Sequence, residues 1–365
     1  MSDELIYQLS LELIPGIGQR GAKQLLSYCG SASEVFSTSK HALLKIPGIG
    51  QKTVNSILSN SSFKEAEKII LSCEKENIRI LHYTNSNYPD KLKLITDAPS
   101  IIYFKGNGEP NPSRLISIVG TRKASEYGKE ITEKIVESLS KFNTTIVSGL
   151  AYGIDIKAHK SALGEKIPTF AVIAGGIDRI YPSTHKKYAQ EMQEFGGIIT
   201  ESIPGTRPNA HLFPVRNRII AGISDATIVV EAAQRGGALI TAHLADSYGR
   251  MVFAVPGDIG NSLSEGTNKL IATQKAHIYT GIEDLIYHLG WSDETLNHTK
   301  NVDITELSDG ERKLYLYLTE LNKPEQIDLI SIKTQISINQ VASLLLELEF
   351  KNLVRSLPGK KYQAK

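Results

Sequence analysis

The chain has 365 residues, 41% apolar and 22% charged, which is ordinary for globular protein and long enough for two or three domains. Its 41 Lys+Arg against 39 Asp+Glu leave a formal charge of +2, so attraction to a polyanion has to come from where the charges lie. Two cysteines (Cys29, Cys73) in amphipathic patterns exclude a disulfide framework and fit a reduced cytoplasmic compartment; no signal peptide is read at Met1-Ser2-Asp3-Glu4-Leu5, and no apolar run reaches the roughly 20 residues of a membrane span.

An internal repeat opens the chain. Leu13-Ile14-Pro15-Gly16-Ile17-Gly18-Gln19-Arg20 returns as Lys45-Ile46-Pro47-Gly48-Ile49-Gly50-Gln51-Lys52, 32 positions later. Each copy joins two apolar helical patterns through Gly-x-Gly. This is the pattern of a helix-hairpin-helix pair, which grips nucleic-acid backbone in some proteins and serves as a plain tight turn in others. Residues 1–77 are read as this helical domain, closed by a helix over 62–77.

Short strands are predicted at 79–82 and 100–104, with a turn around Tyr88-Pro89, followed by a Gly/Asn/Pro-rich loop over 105–113. From Arg114 to about Trp291, apolar strand-like runs alternate with helical patterns. That alternation predicts a doubly wound parallel sheet with helices on both faces. Residues 78–291 are read as one domain with its core at 114–291. A polar linker over 292–306 leads to a domain at 307–365: three helical patterns and a hairpin around Pro358-Gly359, the pattern of a winged helix.

The strand-to-helix turns of the middle domain carry the chemistry. Leu115–Val119 runs into Gly120-Thr121-Arg122-Lys123, and Thr145–Val147 into Ser148-Gly149-Leu150-Ala151-Tyr152-Gly153-Ile154-Asp155. Turns without side-chain bulk expose backbone N–H groups and helix N-termini to anions. Phe213-Pro214-Val215-Arg216-Asn217-Arg218 sets Pro214 in the first turn of a helix, with Arg216 and Arg218 close behind. Cations at that end oppose the helix dipole, which a bound anion would offset; arginines paired to acids on a solvated turn are the other reading. Tyr181-Pro182 with His185, Lys186 and Lys187 is a basic and aromatic corner or a solvated helix face. Asp155 is read as orienting the turn or a basic neighbour, and Glu231, after Ala226–Val230, as a possible sugar contact in a nucleotide-binding fold.

Several chemistries lack their signatures: the nine histidines show no metal-ligand spacing, and neither Gly-x-x-x-x-Gly-Lys-Ser/Thr nor Gly-x-Ser-x-Gly occurs. No Gly-x-Gly-x-x-Gly follows a strand of the β/α region. No cofactor, no metal and no catalytic residue is expected.

Taken together, Ile118-Val119-Gly120-Thr121-Arg122, Ser148-Gly149-Leu150-Ala151-x-Gly153-Ile154-Asp155, Ile180-Tyr181-Pro182, Phe213-Pro214-x-Arg216-Asn217-Arg218-Ile219-Ile220, Val229-Val230-Glu231-Ala232 and Phe253-Ala254-Val255-Pro256-Gly257 resemble the DNA-processing protein A family. The resemblance spans nearly the whole β/α domain, and the flanking domains also resemble those of longer members. It implies an extended Rossmann-like fold between a SAM-like helical domain and a winged helix. It implies a single-stranded-DNA-binding mediator of natural transformation that protects incoming strands, loads the RecA recombinase, forms a homodimer, and is neither enzyme nor membrane protein. The residues it assigns to DNA are Gly120, Arg122, Lys123, Gly149, Gly153, Tyr181, Lys186, Phe213, Arg216, Asn217 and Arg218. The competing reading is a nucleotide phosphoribohydrolase of the lysine-decarboxylase-like fold, whose Pro-Gly-Gly-x-Gly-Thr-x-x-Glu signature is missing.

Overall fold

A computed structural model describes residues 3–59, 62–291, 307–321, 324–351, 353–357 and 359–364. They divide into two compact units, Met1–Trp291 and Ser292–Lys365. The linker expected at 292–306 lies outside the described residues.

The first unit is built on a nine-stranded sheet: β1 (Ile78–His82), β2 (Ile101–Lys105), β3 (Leu115–Val119), β4 (Thr145–Ser148), β5 (Thr169–Val172), β6 (Gly197–Thr200), β7 (Ala226–Val229), β8 (Met251–Ala254) and β9 (His277–Ile278), in the order β1-β2-β6-β5-β4-β3-β7-β8-β9. From β6 through β9 all pairs are parallel. The chain steps outward from β3 to β4, β5 and β6, then returns to β7 on the other side of β3. Between β3 and β7 the order reverses, which is where open α/β sheets leave a crevice at their strand C-termini.

β3 shows why the sheet is buried on both faces. Leu115 and Val119 face a core shared with Ile219, Ile220 and Ile223 of the helix Leu212–Ile223 and with Ala238, Ala242 and Ala245 of the helix Gly237–Ser247. Ile116 and Ile118 point the other way, onto Ile135 and Val136 of the helix Glu126–Leu139 and Ala158 of the helix Ile154–Gly164. Side chains alternate across a strand, so a continuous apolar run needs helices on both sides. Each fully buried Ile or Leu contributes about 1.5–3 kcal/mol.

The sheet is mixed rather than wholly parallel: β2 runs antiparallel to β6, and β1 antiparallel to β2. Their connection, 83–100, carries only the single-turn helix Asp90–Lys93, whereas parallel neighbours are usually joined through a full crossover helix. On β1 the Arg79 guanidinium lies 4.4 Å over the Phe104 ring and donates to the Gly108 carbonyl at 2.7 Å.

The repeat at the start forms the expected paired hairpins. Gly16, Gly18 and Gly48 take φ values of +88°, +54° and +76°, the region glycine enters without a Cβ clash. Gln24 Nε2 ties one hairpin to the other by donating to the Pro47 carbonyl at 2.7 Å. This tandem is joined to the sheet: Leu9, Ile70 and Cys73 share a core with Tyr103 of β2 and Ile198 of β6. The second unit has helices Asp309–Leu321, Ile327–Thr334 and Ile338–Phe350 and a hairpin of Val354–Leu357 with Lys361–Ala364, a winged helix. The fold is therefore α/β and Rossmann-like, between a helix-hairpin-helix module and a winged helix.

Where the helical module meets the sheet, Ser100 donates its hydroxyl to Glu12. Burial raises the Glu12 carboxyl from an ordinary 4.5 to about 7, with Ser100 opposing and Glu201 adding to the rise. The folded state then holds a proton that the unfolded chain releases, so this contribution to stability is full below about 4.5 and fades as pH rises through 7. We expect Glu12→Gln to flatten that decline when urea unfolding is measured from pH 5 to pH 8.

Candidate nucleic-acid interface

Three chain segments converge at the crevice between β3 and β7. The first is the Gly149–Gly153 turn after β4. Asp155 sits at the start of the next helix and accepts from the backbone N–H of Gly149 at 3.2 Å and of Ala151 at 3.4 Å. Leu150 is held at φ +57° and Gly153 at φ +77°. A Cβ on Gly153 would run into the backbone carbonyls of Thr121 and Arg122, and one on Gly149 into the guanidinium of Arg216. Both glycines are therefore needed for close approach, not for exposing N–H groups to solvent.

The second segment is the start of the helix Leu212–Ile223. Arg216 is only 5% exposed; Nη1 donates to the Val172 carbonyl at the end of β5, while Nε is buried without a hydrogen-bond partner. Burial lowers its pKa to about 10, with Asp155 opposing and Arg122 adding to the fall, so it stays cationic at neutral pH. Burial also pushes Asp155 up, against the pull of Arg216. Arg218 leaves the site altogether: it pairs with Glu201 and donates to the Asp97 carbonyl. Of the two readings of these arginines, Arg218 takes the pairing with an acid, and Arg216 is buried rather than set on a solvated turn. Residues two apart on a helix lie about 200° around it, so one guanidinium enters the crevice floor and the other the opposite side.

The third segment is the β3 turn. Gly120 packs without room for a Cβ against Ile154. Arg122 and Lys123 are exposed, and neither forms an ion pair among the described residues. The Arg122 guanidinium lies 5.7 Å from the centre of the Phe213 ring, and that ring is 5.8 Å from Tyr181, which is 55% exposed. Beneath this row opens a cavity of about 500 Å³ lined by Gly120, Arg122, Phe213, Arg216, Asn217 and the start of the helix Gly237–Ser247. That helix follows Gly236 with no side-chain cap and no acid in its first turn, and Gly236, Gly237 and Ala238 line the cavity. Lys123 and Lys186 stand outside the cavity lining; Lys186 is exposed at the start of the helix Lys186–Glu191.

Glu231, read from sequence as a possible sugar contact, is 2% exposed and accepts from Ser125 through both backbone N–H (3.0 Å) and hydroxyl. It fastens the end of β7 to the start of the helix Glu126–Leu139. His185 is buried too, its Nδ1 2.8 Å from the Leu150 carbonyl. Ala151, Ile240 and Thr241 also line the cavity and are not among the residues the sequence assigns to the site; small or apolar residues carry no chemical signal of their own.

The family model described as DNA recombination-mediator protein A matches residues 79–290. The chain belongs to that family. A model of a SAM-like helix-hairpin-helix tandem matches 9–60, and one of the DprA winged helix domain matches 298–360. Protein Smf of Escherichia coli is 33% identical over 302 residues, covering 81% of this chain and 80% of that one. The DNA processing protein DprA of Streptococcus pneumoniae is 40% identical over 199 residues, 54% of this chain and 70% of that one. Among solved structures, the Streptococcus pneumoniae DprA superimposes with a TM-score of 0.66 at 31% identity, covering 79% of this chain and 98% of that one. DNA processing protein A of Helicobacter pylori, solved to describe its single-stranded DNA binding mode, gives 0.53 at 30% identity, over 58% and 95%. Among the described residues no group of three or more His, Cys, Asp or Glu is placed to hold a metal ion, and no single helix is long and apolar enough to cross a membrane.

The Arg218–Glu201 pair is almost fully buried. Removing one partner of such a pair strands the other, at a cost of about 3–5 kcal/mol. Arg218→Ala should accordingly lower the unfolding free energy by that order, seen as an earlier urea midpoint with native circular dichroism before the transition.

Proposed function

We propose that this chain binds single-stranded DNA along the C-terminal edge of its sheet, over the cavity between β3 and β7. The observation that carries the reading is the row Arg122–Phe213–Tyr181: a cation with no ion pair among the described residues and two partly exposed rings in series, at a cavity that the start of the helix Gly237–Ser247 also lines. Single strands need that combination, with charge tracking the backbone and π-faces accepting unpaired bases. Arg122, Lys123 and Lys186 meet phosphates, and Phe213 and Tyr181 stack bases. Gly120, Gly149 and Gly153 shape the edge, Asn217 offers a donor and acceptor in the cavity, and Arg216 supplies positive potential from beneath. Arg218 is dropped from this set on the grounds of its pairing with Glu201.

Binding rather than catalysis is favoured because both buried acids of this edge are committed to backbone N–H groups: Asp155 to Gly149 and Ala151, Glu231 to Ser125. Neither is poised for the hydrolysis that a phosphoribohydrolase performs. The rest of the reading follows from family membership: a homodimer in the cytoplasm that protects strands entering by natural transformation and loads RecA recombinase onto them.

The test is binding to matched single- and double-stranded oligonucleotides across salt. We expect preference for the single strand with little sequence dependence; equal affinity would sink the reading. Arg122→Ala should weaken binding and flatten the log–log salt slope by about 0.7, the share of one phosphate contact.

A further inference from the structure

We infer that Tyr152 forms an additional nucleobase-stacking subsite, which extends the row of rings along the sheet edge beyond Tyr181. The inference rests on the single-stranded DNA reading above. It starts from an aromatic residue in a place that packing does not require. Tyr152 lies in the tight turn between Gly149 and Gly153, and 48% of its surface is exposed.

The ring is nevertheless held firmly. Its hydroxyl is 3.3 Å from Thr184 Oγ1, and its plane meets the buried His185 imidazole at 70° with the ring centres 4.9 Å apart. Near-perpendicular packing of this kind leaves at least one face of the tyrosine clear of the imidazole. His185 is itself fixed by the Leu150 carbonyl, and Leu150 sits at φ +57°, a conformation a bulky side chain adopts only when its surroundings impose it. The turn is thus bent against the preference of its own residue, and the bend carries an exposed ring. Surface rings are normally free to reorient; here two anchors come from one loop.

That loop is the one that carries Tyr181. Thr184 and His185 follow Tyr181 by three and four residues, and Lys186, exposed, comes next. One short segment therefore carries the exposed Tyr181 and Lys186 and anchors the exposed Tyr152. The chemistry this recognises is a base stacked on a rigid ring with its phosphate near Lys186. Every base has a π-face, so the subsite takes any nucleotide of a single strand and none of a paired duplex.

The experiment is titration of a fluorescein-labelled oligo(dT) with the full chain, read by anisotropy at several salt concentrations, for wild type, Tyr152→Ala, Tyr152→Phe and Arg122→Ala. We expect Tyr152→Ala to weaken binding between about fivefold and about 150-fold, the range of one base–aromatic stack, with the salt slope unchanged. Tyr152→Phe should stay within about twofold of wild type. If Tyr152→Ala binds like wild type while Arg122→Ala is weakened, the subsite is overturned and the DNA-binding reading stands. A flattened salt slope in Tyr152→Ala, or an equal loss in Tyr152→Phe, overturns stacking as its role. If wild type fails to bind oligo(dT), or Arg122→Ala matches wild type, the underlying reading fails first. Native circular dichroism is expected for all variants, since each changed side chain is exposed.

Discussion

The Arg216 guanidinium is the tie on which this sheet edge depends. It projects from the helix Leu212–Ile223, donates to the last carbonyl of β5, and lies against Gly149 at the end of β4, beside Asp155 at the start of the helix Ile154–Gly164. Four elements meet at one buried cation. Burying a charge is costly unless it is offset, and here the Val172 carbonyl accepts from the guanidinium while Asp155 nearby favours its charged form. The arrangement explains the glycine: a side chain at 149 would occupy the space the guanidinium fills. It also fixes the cavity floor as positive while leaving the rim to other residues.

The same helix works in two directions. Phe213 and Arg216 face the crevice, whereas Arg218 faces Asp97 and Glu201, in a hollow shared with Ile17, Gly18 and Lys23 of the first hairpin. The first hairpin and the helix that carries Phe213 thus border one hollow. In sequence, Arg216-Asn217-Arg218 reads as a pair of phosphate ligands, because charge composition is visible and facing is not. The 100° step per residue separates their roles, and applying it to these two positions is enough to foresee the split.

Much of the architecture was legible from local pattern. The duplicated Pro-Gly-Ile-Gly sets its hairpins because glycine enters without strain the positive φ that three of its positions adopt. The buried strands β3 and β7 announce themselves as apolar runs bounded by turns, since a sheet covered on both faces demands them. The antiparallel pair β1 and β2 was not assigned to the sheet, because pairing direction depends on the path of the connection and not on the composition of the strands. Glu231 likewise looked like a ligand contact. Its actual partner, Ser125, is 106 residues away in sequence, and no spacing rule reaches that far. Tyr152 was invisible for a different reason: exposed aromatics are common on proteins, and only the anchors at Thr184 and His185 make this one rigid.

The distribution of charge at this edge bears on what kind of DNA binder the fold supports. Exposed cations at this edge include Arg122, Lys123 and Lys186, while Arg216 is buried, with Asp155 opposing the fall in its pKa. The whole chain carries only +2. A surface of that kind lacks the long-range field that draws in duplex DNA by charge alone. Its rings are more numerous than a purely electrostatic groove requires, and each is oriented by neighbours. Phe213 lies between Arg122 and Tyr181, and Tyr152 is held by Thr184 and His185. Stacking is short-ranged, indifferent to sequence and weakly screened by salt, and it needs bases that are not already paired. On the reading proposed above, selectivity for the single strand comes from geometry at the edge, with phosphate contacts setting register along the backbone.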